Sequence, residues 1–511
     1  MIPAYTGAQV RAAEQPLLDA GAGPGLMRRA AHGLARHTAE LLRRERGRVY
    51  GTRAAALVGT GNNGGDALFA MAFLTRRGVA CTAVLLGEKA HDAGLAAFRR
   101  AGGRVVDGRP GNNAGAQPRE DEDTDDGGTD DGSPRWRAAV AALAGADVVI
   151  DAVLGTGARG GIELPLLPNG ALVVACDLPS GVDADTGNAA DSALEADLTV
   201  TFGALKTGLA VGRGHLLAGR VEVVDIGLGP HLGDPDLYVI ERSDVARLLP
   251  RPARDAHKYS RGVLGLVAGC DRYPGAAVLS ATAAVNAGLG MLRTVALGRA
   301  AELLAHAVPE AVPAEDTDVR VQAWAVGPGI GDDAGQLAAA KRAIASGLPC
   351  VVDASALRRF EPSDGRGNIV LTPHAGELQD LLTRAGLDVE AGDIAADPVR
   401  WARRAASTYS SVVLLKGPAT VCAAPDGYTV VCNAGGPELA TAGSGDVLTG
   451  IIGKFLATGN QLGDTRSLVQ VAATAAAVHG LTVHTIGSAA TPQSARALAE
   501  RVSAAVDTVG N

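Results

Sequence analysis

The sequence predicts an α/β protein of two domains, each a sheet of mainly parallel strands covered by helices. Three observations carry that reading. Short apolar runs alternate with helical segments through both halves, the β–α–β pattern of parallel sheets. Glycine-rich turns follow several of those runs, where strands hand over to helices. A Pro/Gly/Asp-rich stretch over 227–236, continued by charged and proline-rich residues through Arg254, divides the two series. This places a first domain at 1–235, a linker at 236–255 and a second domain at 256–511.

The composition bounds the function. With 47% hydrophobic and 20% charged residues, the chain holds ample material for large cores and is not disordered throughout. Three Trp, seven Tyr and six Phe are few for 511 residues, so the cores must be built from Ala, Val and Leu. The formal net charge of −8 argues against a broad nucleic-acid face. None of the six cysteines forms a C-x-x-C pair, and most sit in apolar runs, as expected of small buried residues in a reducing compartment. Met1 to Tyr5 show no basic region leading into an apolar stretch, and no run reaches the ~18 apolar residues of a membrane helix. A soluble, cytoplasmic protein without a membrane or nucleic-acid partner is expected.

In order, residues 7–46 read as a helical segment, 54–58 as a strand, 67–77 as a helix stopped by Gly78, and 80–86 as a second strand. The pattern breaks at about 108–136. Eight acids fall within 120–131, a composition that predicts a disordered, solvated surface insert. Strands resume at 147–150, 171–176, 198–202 and 221–226. In the second half, strands are expected at 263–268, 292–297, 323–326, 350–353, 369–371 and 412–415. Helices are expected at 276–287 and from the loop at 442–446 to about Ala457, with two more closing the chain.

The first half carries three loops at strand ends. Gly59-Thr60-Gly61-Asn62-Asn63-Gly64 fits the G-x-G-x-x-G dinucleotide fingerprint, with Glu88 just past the second strand. The domain is therefore expected to be a Rossmann-like three-layer α/β fold. Asp66, read as lying at the helix N-terminus, argues against an ordinary pyrophosphate site there. The loops after Ile150 and Cys176 should converge with it outside the carboxyl ends of the strands. Asn63, Asp151 and Ser180 offer hard oxygens for an alkali or alkaline-earth cation, and Arg159 can meet a phosphate.

Together GTGNNGGD, DAVLGTGARGG, DLPSGVDADTG and the Lys206-containing TFGALKTG resemble the NAD(P)H-hydrate epimerase domain over roughly 1–235. The resemblance implies that Asn62, Asn63, Gly64, Gly65 and Asp66, with Gly155, Thr156, Gly157, Ala158, Arg159, Gly160 and Gly161, bind hydrated nicotinamide nucleotide. It implies a potassium ion at Asn63, Asp151 and Ser180. Asp177 is the candidate acid/base, with Lys206 as its partner. Ala67 stands where that family often has Gly.

In the second half, Ala442-Gly443-Ser444-Gly445-Asp446 opens a helix. Its amides and the helix dipole make an anion hole for phosphate, with Asp446 placed to take a proton from an attacking hydroxyl. That order marks ribokinase-like phosphotransferases, so the second domain is expected to be a ribokinase-like α/β fold. His374 follows Pro373 ahead of a helix, and Lys416 ends a strand. GPGIG, TPHAGE, KGPAT and AGSGDVLTG in this order resemble the ADP/ATP-dependent NAD(P)H-hydrate dehydratase domain over about 240–511. The resemblance implies hydrate contacts at Ala276, Gly329, His374 and Asp446. It implies adenine-nucleotide contacts at Lys416, Gly417, Pro418, Ala419, Thr420 and Gly445, the amides of Gly443, Ser444 and Gly445 stabilising phosphate charge. A magnesium ion should accompany ADP or ATP. Ser355 and Glu438 depart from that family's usual residues.

The reading is a bifunctional repair enzyme that epimerises hydrated NADH or NADPH and dehydrates the S form at the expense of ADP or ATP, as a homo-oligomer. A ribokinase-like kinase for a vitamin precursor, fused to a nucleotide-binding domain, and a non-catalytic scaffold are the rivals.

Overall fold

The computed structural model describes residues 1–109, 133–155, 164–249, 252–458, 464–483 and 493–510. The acidic stretch at 120–131 and loop residues 156–163 lie outside the described residues. The chain divides into two compact units, Pro3–Asp236 and Leu237–Asn511 with Met1–Ile2.

The first unit begins with β1 (Ile2–Tyr5), α1 (Gly7–Asp19), α2 (Gly23–Arg46) and β2 (Arg53–Val58). Next come α3 (Asn62–Thr75), β3 (Ala80–Leu85), α4 (Asp92–Arg100), β4 (Arg104–Asp107) and α5 (Pro134–Leu143). It closes with β5 (Val148–Ala152), β6 (Leu172–Cys176), β7 (Leu198–Phe202), β8 (Leu205–Lys206), α6 (Gly212–Leu217) and β9 (Arg220–Val224). Seven strands form a wholly parallel sheet in the order β4-β3-β2-β5-β6-β7-β9.

That sheet is covered on both faces, which is why its strands read as unbroken apolar runs. Along β2, Ala54, Ala56 and Val58 pack into a core shared with α2 and α3, while Ala55 and Leu57 pack with Ala139 and Leu143 of α5. The order reverses at β2, so the ends of β2 and β5 form the switch point where ligands bind such sheets.

Elements of this unit differ from the sequence reading. The segment 7–46 is two helices, broken where Gly21 adopts φ +77°. Helix α3 starts at Asn62, not Ala67, so Asp66 lies in its second turn and not at its N-terminus. The short β1 and the edge strand β4 carry too few residues to show a period.

The second unit runs β10 (Leu237–Val239), α7 (Arg242–Leu248), β11 (Val263–Val267), α8 (Pro274–Asn286), β12 (Met291–Val295), α9 (Gly298–Ala307) and β13 (Ala311–Pro313). It continues through β14 (Ala323–Val326), α10 (Ala334–Ala345), β15 (Cys350–Val352), β16 (Ile369–Leu371), α11 (Ala375–Arg384), α12 (Ala391–Ala396) and α13 (Pro398–Thr408). Then follow β17 (Val412–Leu415), β18 (Thr420–Ala423), β19 (Thr429–Cys432), α14 (Ser444–Thr458), α15 (Thr465–Leu481) and α16 (Ala495–Gly510).

Its strands run in the order β13-β12-β11-β14-β15-β16-β17-β18-β19-β10. Only the β17–β18 and β18–β19 pairs within that order are antiparallel. Helix α14 is buried nearly all round, consistent with its almost wholly apolar sequence after Asp446. Residues 237–248, part of the stretch read as a linker, form β10 and α7. All six cysteines are free and buried.

Candidate active sites

In the first unit, a cavity of about 360 Å³ opens at the carboxyl ends of the central strands. Asn62, Asn63 and Asp66 of α3 line it with Gly155, Asp177 and Lys206, and α1 adds Arg11 and Glu14. Asp177 follows β6 directly and holds φ +71°, the left-handed region that a short acidic residue tolerates at a cost. Its Oδ1 accepts from Lys206 Nζ at 2.5 Å, from Thr201 Oγ1 at 3.1 Å and from the Phe202 amide at 3.2 Å. Lys206 Nζ also donates to Thr201 Oγ1 at 3.0 Å and the Phe202 carbonyl at 2.7 Å. With Asp177 6% and Lys206 2% exposed, this is a buried ion pair whose carboxylate borders the cavity.

Asp66 is buried beside it, and its Oδ1 has no hydrogen-bond partner. Burial first, then the charges of Asp177 and Glu14, push its carboxyl well above the usual range, while Lys206 pulls the other way. Burial also raises Glu14. Glu14 and Arg11 were missed in the sequence because α1 reads as an unremarked amphipathic helix with no motif. Gly64 sits in the first turn of α3 so close to the Gly59 carbonyl that a Cβ has no room, which explains a glycine there.

Asp151 is the penultimate residue of β5 and fully buried. Ser180 donates to its two oxygens, from Oγ at 2.5 Å and from the amide at 2.7 Å. Burial raises the Asp151 carboxyl, and hydrogen bonds from Ser180 and Val153 only partly offset this, with no basic side chain contributing among the described residues. Asn63 Nδ2 donates to the Cys176 carbonyl at 2.8 Å and the Leu154 carbonyl at 3.2 Å. Asn63, Asp151 and Ser180 thus share one corner of the unit, linked through Leu154, whose amide donates to Ser180 Oγ at 2.9 Å. A buried carboxylate with no cationic side chain beside it among the described residues, set among carbonyl and hydroxyl oxygens, is a donor set that fits a monovalent cation. Thr156, Gly157, Ala158, Arg159, Gly160 and Gly161 lie outside the described residues.

In the second unit, the first turn of α14 brings Gly445 and Asp446 to Lys416, which follows β17. A Cβ at Gly445 would lie 3.5 Å from Lys416 Nζ. Lys416 Nζ donates to Asp353 Oδ1 at 3.0 Å and stands 3.7 Å from Glu377. Burial alone would lower the Lys416 pKa, but the carboxylates of Asp353, Glu377 and Asp446 together raise it. Asp353 is held by Thr372 Oγ1 and Thr449 Oγ1, each at 2.8 Å. Among the described residues, Asp446 makes no such bond to a cation. Burial, then the nearby Asp353 charge, pushes its carboxyl up to about 7, with Lys416 pulling the other way.

Gly329 adopts φ +64°, and a Cβ there would lie 2.7 Å from that of Ala276 and 2.6 Å from the Tyr273 carbonyl oxygen, so the two predicted hydrate contacts are neighbours. His374 is exposed and caps α11, its Nδ1 accepting from the Glu377 amide at 3.2 Å. Its backbone pairs with that of Lys416, which ties it to the same strand ends. Gly417 and Pro418 are exposed, Ala419 is buried, and Thr420 opens β18. Gly443 adopts φ +91° ahead of α14.

Ser444 Oγ lies 3.1 Å from Nε2 of His479 on α15, both buried. Asp353, Glu377 and His479 escaped the sequence reading as site residues. Asp353 carried a faint signal, as an acid ending a strand; His479 carried none.

A solved ADP/ATP-dependent NAD(P)H-hydrate dehydratase from Bacillus subtilis, co-crystallised with ATP/Mg2+, aligns over 53% of this chain and 99% of its own, with 27% identity and a TM-score of 0.47. The NAD(P)H-hydrate dehydratase family model matches residues 264–504, and that of the YjeF-related protein N-terminus matches 24–208. A bifunctional NAD(P)H-hydrate repair enzyme from Mycobacterium tuberculosis is 41% identical over 481 residues, 90% of each chain. One from Mycobacterium leprae is 40% identical over 480 residues, 89% of each. At that identity and over that length, this chain belongs to the family of bifunctional NAD(P)H-hydrate repair enzymes.

Proposed function

We infer that the chain repairs nicotinamide nucleotides that have taken up water across the ring: the first unit interconverts the R and S hydrates, and the second dehydrates the S form at the expense of ADP or ATP. The observation that carries this is Asp446, a carboxyl pushed up to about 7 at the opening of a buried helix and beside Lys416. A base needs a pKa near the working pH, and this one has it. Asp446 takes the proton of the hydrate's hydroxyl as its oxygen attacks the terminal phosphoryl group. Phosphate then leaves with the ring carbon–oxygen bond electrons, and loss of a proton from the adjacent carbon restores the ring double bond. Lys416 and the amides of Gly443, Ser444 and Gly445 meet charge on the nucleotide phosphates. Family membership favours this over a kinase whose phosphorylated product persists.

In the first unit, Asp177 and Lys206 are the proton-transfer pair, and Asp66, its carboxyl raised by burial, lies in the same cavity. Epimerisation needs the hydroxyl to depart as water from one face and water to add to the other, one proton in and one out. Potassium at Asn63, Asp151 and Ser180 would offset the buried Asp151 charge. For magnesium, no group of three His, Cys, Asp or Glu gathers to hold a metal among the described residues. Asp353 is already engaged by Thr372, Thr449 and Lys416, so the residues suit an ion that arrives on the nucleotide's phosphates.

The test is to incubate both epimers of hydrated NADH with the full chain and ADP while following NADH absorbance. Complete conversion with release of inorganic phosphate is expected. Accumulation of a phosphorylated product without NADH would sink the reading.

A further inference from the structure

A second cavity of the first unit, about 720 Å³, lies at the ends of β3 and β4. Gly87, Glu88, Lys89, Leu95, Arg99 and Asp107 are among its walls. Nothing in the chemistry described above uses it.

Its position follows from the strand order. β4-β3-β2-β5-β6-β7 has the connectivity of a dinucleotide-binding sheet of order 3-2-1-4-5-6. In such sheets the dinucleotide crosses the switch point. One end lies over the first strand of the second half and its neighbour. The other lies past the end of the strand beside the glycine turn. The Asp177 cavity occupies the former place and the second cavity the latter.

Between them runs the turn Gly59 to Asn62. Gly61 and Asn62 border the Asp177 cavity, while Gly87 of the second cavity packs so tightly on Thr60 that a Cβ has no room. The two cavities thus flank one turn. That turn opens α3, a helix of 14 residues whose first turn, Asn62 to Gly65, is uncharged. The acid that argued against a pyrophosphate here, Asp66, lies one turn further in, in the Asp177 cavity.

The walls of the outer cavity carry three carboxylates, Glu88, Asp92 and Asp107, and three cations, Lys89, Arg99 and Arg109. Arg109 is committed to Asp107, at 2.6 and 2.9 Å. Lys89 and Arg99 are exposed and have no carboxylate partner among the described residues.

We propose that this cavity receives the adenosine end of the hydrated dinucleotide, with the pyrophosphate over the Thr60–Asn62 turn and Lys89 and Arg99 facing the 2′-phosphate when the substrate is hydrated NADPH. The proposal rests on the epimerase reading of the first unit.

The test uses the full chain with Lys89→Glu and Arg99→Glu together. Epimerisation is assayed with hydrated NADPH, hydrated NADH and hydrated reduced nicotinamide mononucleotide, which lacks the adenosine end. The charge reversal should lower kcat/KM by at least about tenfold for hydrated NADPH, less for hydrated NADH and least for the mononucleotide, with the change falling on KM. In the unaltered chain the mononucleotide should be the poorest substrate of the three. Equal losses on all three substrates, or no loss on any, would overturn the proposal. Dehydration by the second unit reports folding of the variant. Absence of epimerisation of hydrated NADH by the unaltered chain would instead remove the functional reading on which the proposal stands.

Discussion

Asp446 and Lys416 stand close enough to influence each other's titration yet differ in what they are for. Asp446→Asn keeps size and most hydrogen bonding but removes the base, so dehydration should fall by about 10²-fold or more while ADP binding, read by calorimetry, persists. The pH profile follows from the direction of the shift. Asp446 acts deprotonated and its carboxyl is raised to about 7, so the rate of the unaltered enzyme should climb as pH rises through that value and level off above it. The same shift has a cost for the fold. A carboxyl raised in the folded state destabilises it at high pH, and the penalty is relieved as pH falls from about 7 toward the ordinary carboxylate value. Asp446→Asn should therefore raise Tm at pH 8 and raise it little near pH 4. A flat rate profile between pH 6 and 8, where chemistry limits turnover, would remove Asp446 from the role of base. At this scale the sequence was informative where a side chain ends a motif, as with Asp177 and Asp446, and silent where a helix face supplies a lone partner. Glu14 and His479 belong to the second kind, since only the fold decides what a helix face meets.

The strand–loop–helix joints determine whether those side chains are presented correctly. Gly329 holds φ +64° with the Tyr273 carbonyl 2.6 Å from where a Cβ would stand. Gly329→Ala should destabilise the second unit by about 1–3 kcal/mol in urea unfolding, since both the backbone well and the close approach oppose it. Dehydration should suffer and epimerisation should not. His479 ties α15 to the opening turn of α14 through Ser444 Oγ. Burial lowers its pKa to about 4, so it is neutral at working pH. His479→Leu leaves the buried Ser444 hydroxyl without that partner, a loss of about 1–3 kcal/mol, and should raise KM for ADP more than it lowers kcat. His479→Gln, which can still hydrogen-bond, should recover part of the loss; equal behaviour of the two variants would show that the contact does nothing for the turn. Element existence was legible wherever an apolar run met a glycine turn. The start of α3 was misplaced because two asparagines and two glycines are poor helix formers, and tertiary packing against the loop overrode propensity. The β18–β19 hairpin went unread because four-residue strands carry little periodicity.

For the whole molecule, the two motif sets fall in different compact units, and a single chain should carry two chemistries that fail independently. Asp177→Asn breaks the buried pair with Lys206 but leaves every residue around Asp446 in place. Given both hydrates and ADP, that variant should convert the S form at the unaltered rate. The progress curve should then plateau and creep on only as fast as R turns into S without a catalyst. Asp446→Asn should do the reverse, equilibrating the epimers while producing almost no NADH. Because free hydrate is the shared intermediate, mixing the two variants should restore full conversion, with a rate that follows the concentration of each. That rescue distinguishes lost chemistry from lost folding, since each variant then demonstrates the competence of its unaltered unit. If Asp177→Asn consumed R as fast as S, with spontaneous epimerisation measured and subtracted, the assignment of epimerisation to the Asp177 cavity would fail, while the dehydration chemistry at Asp446 would stand.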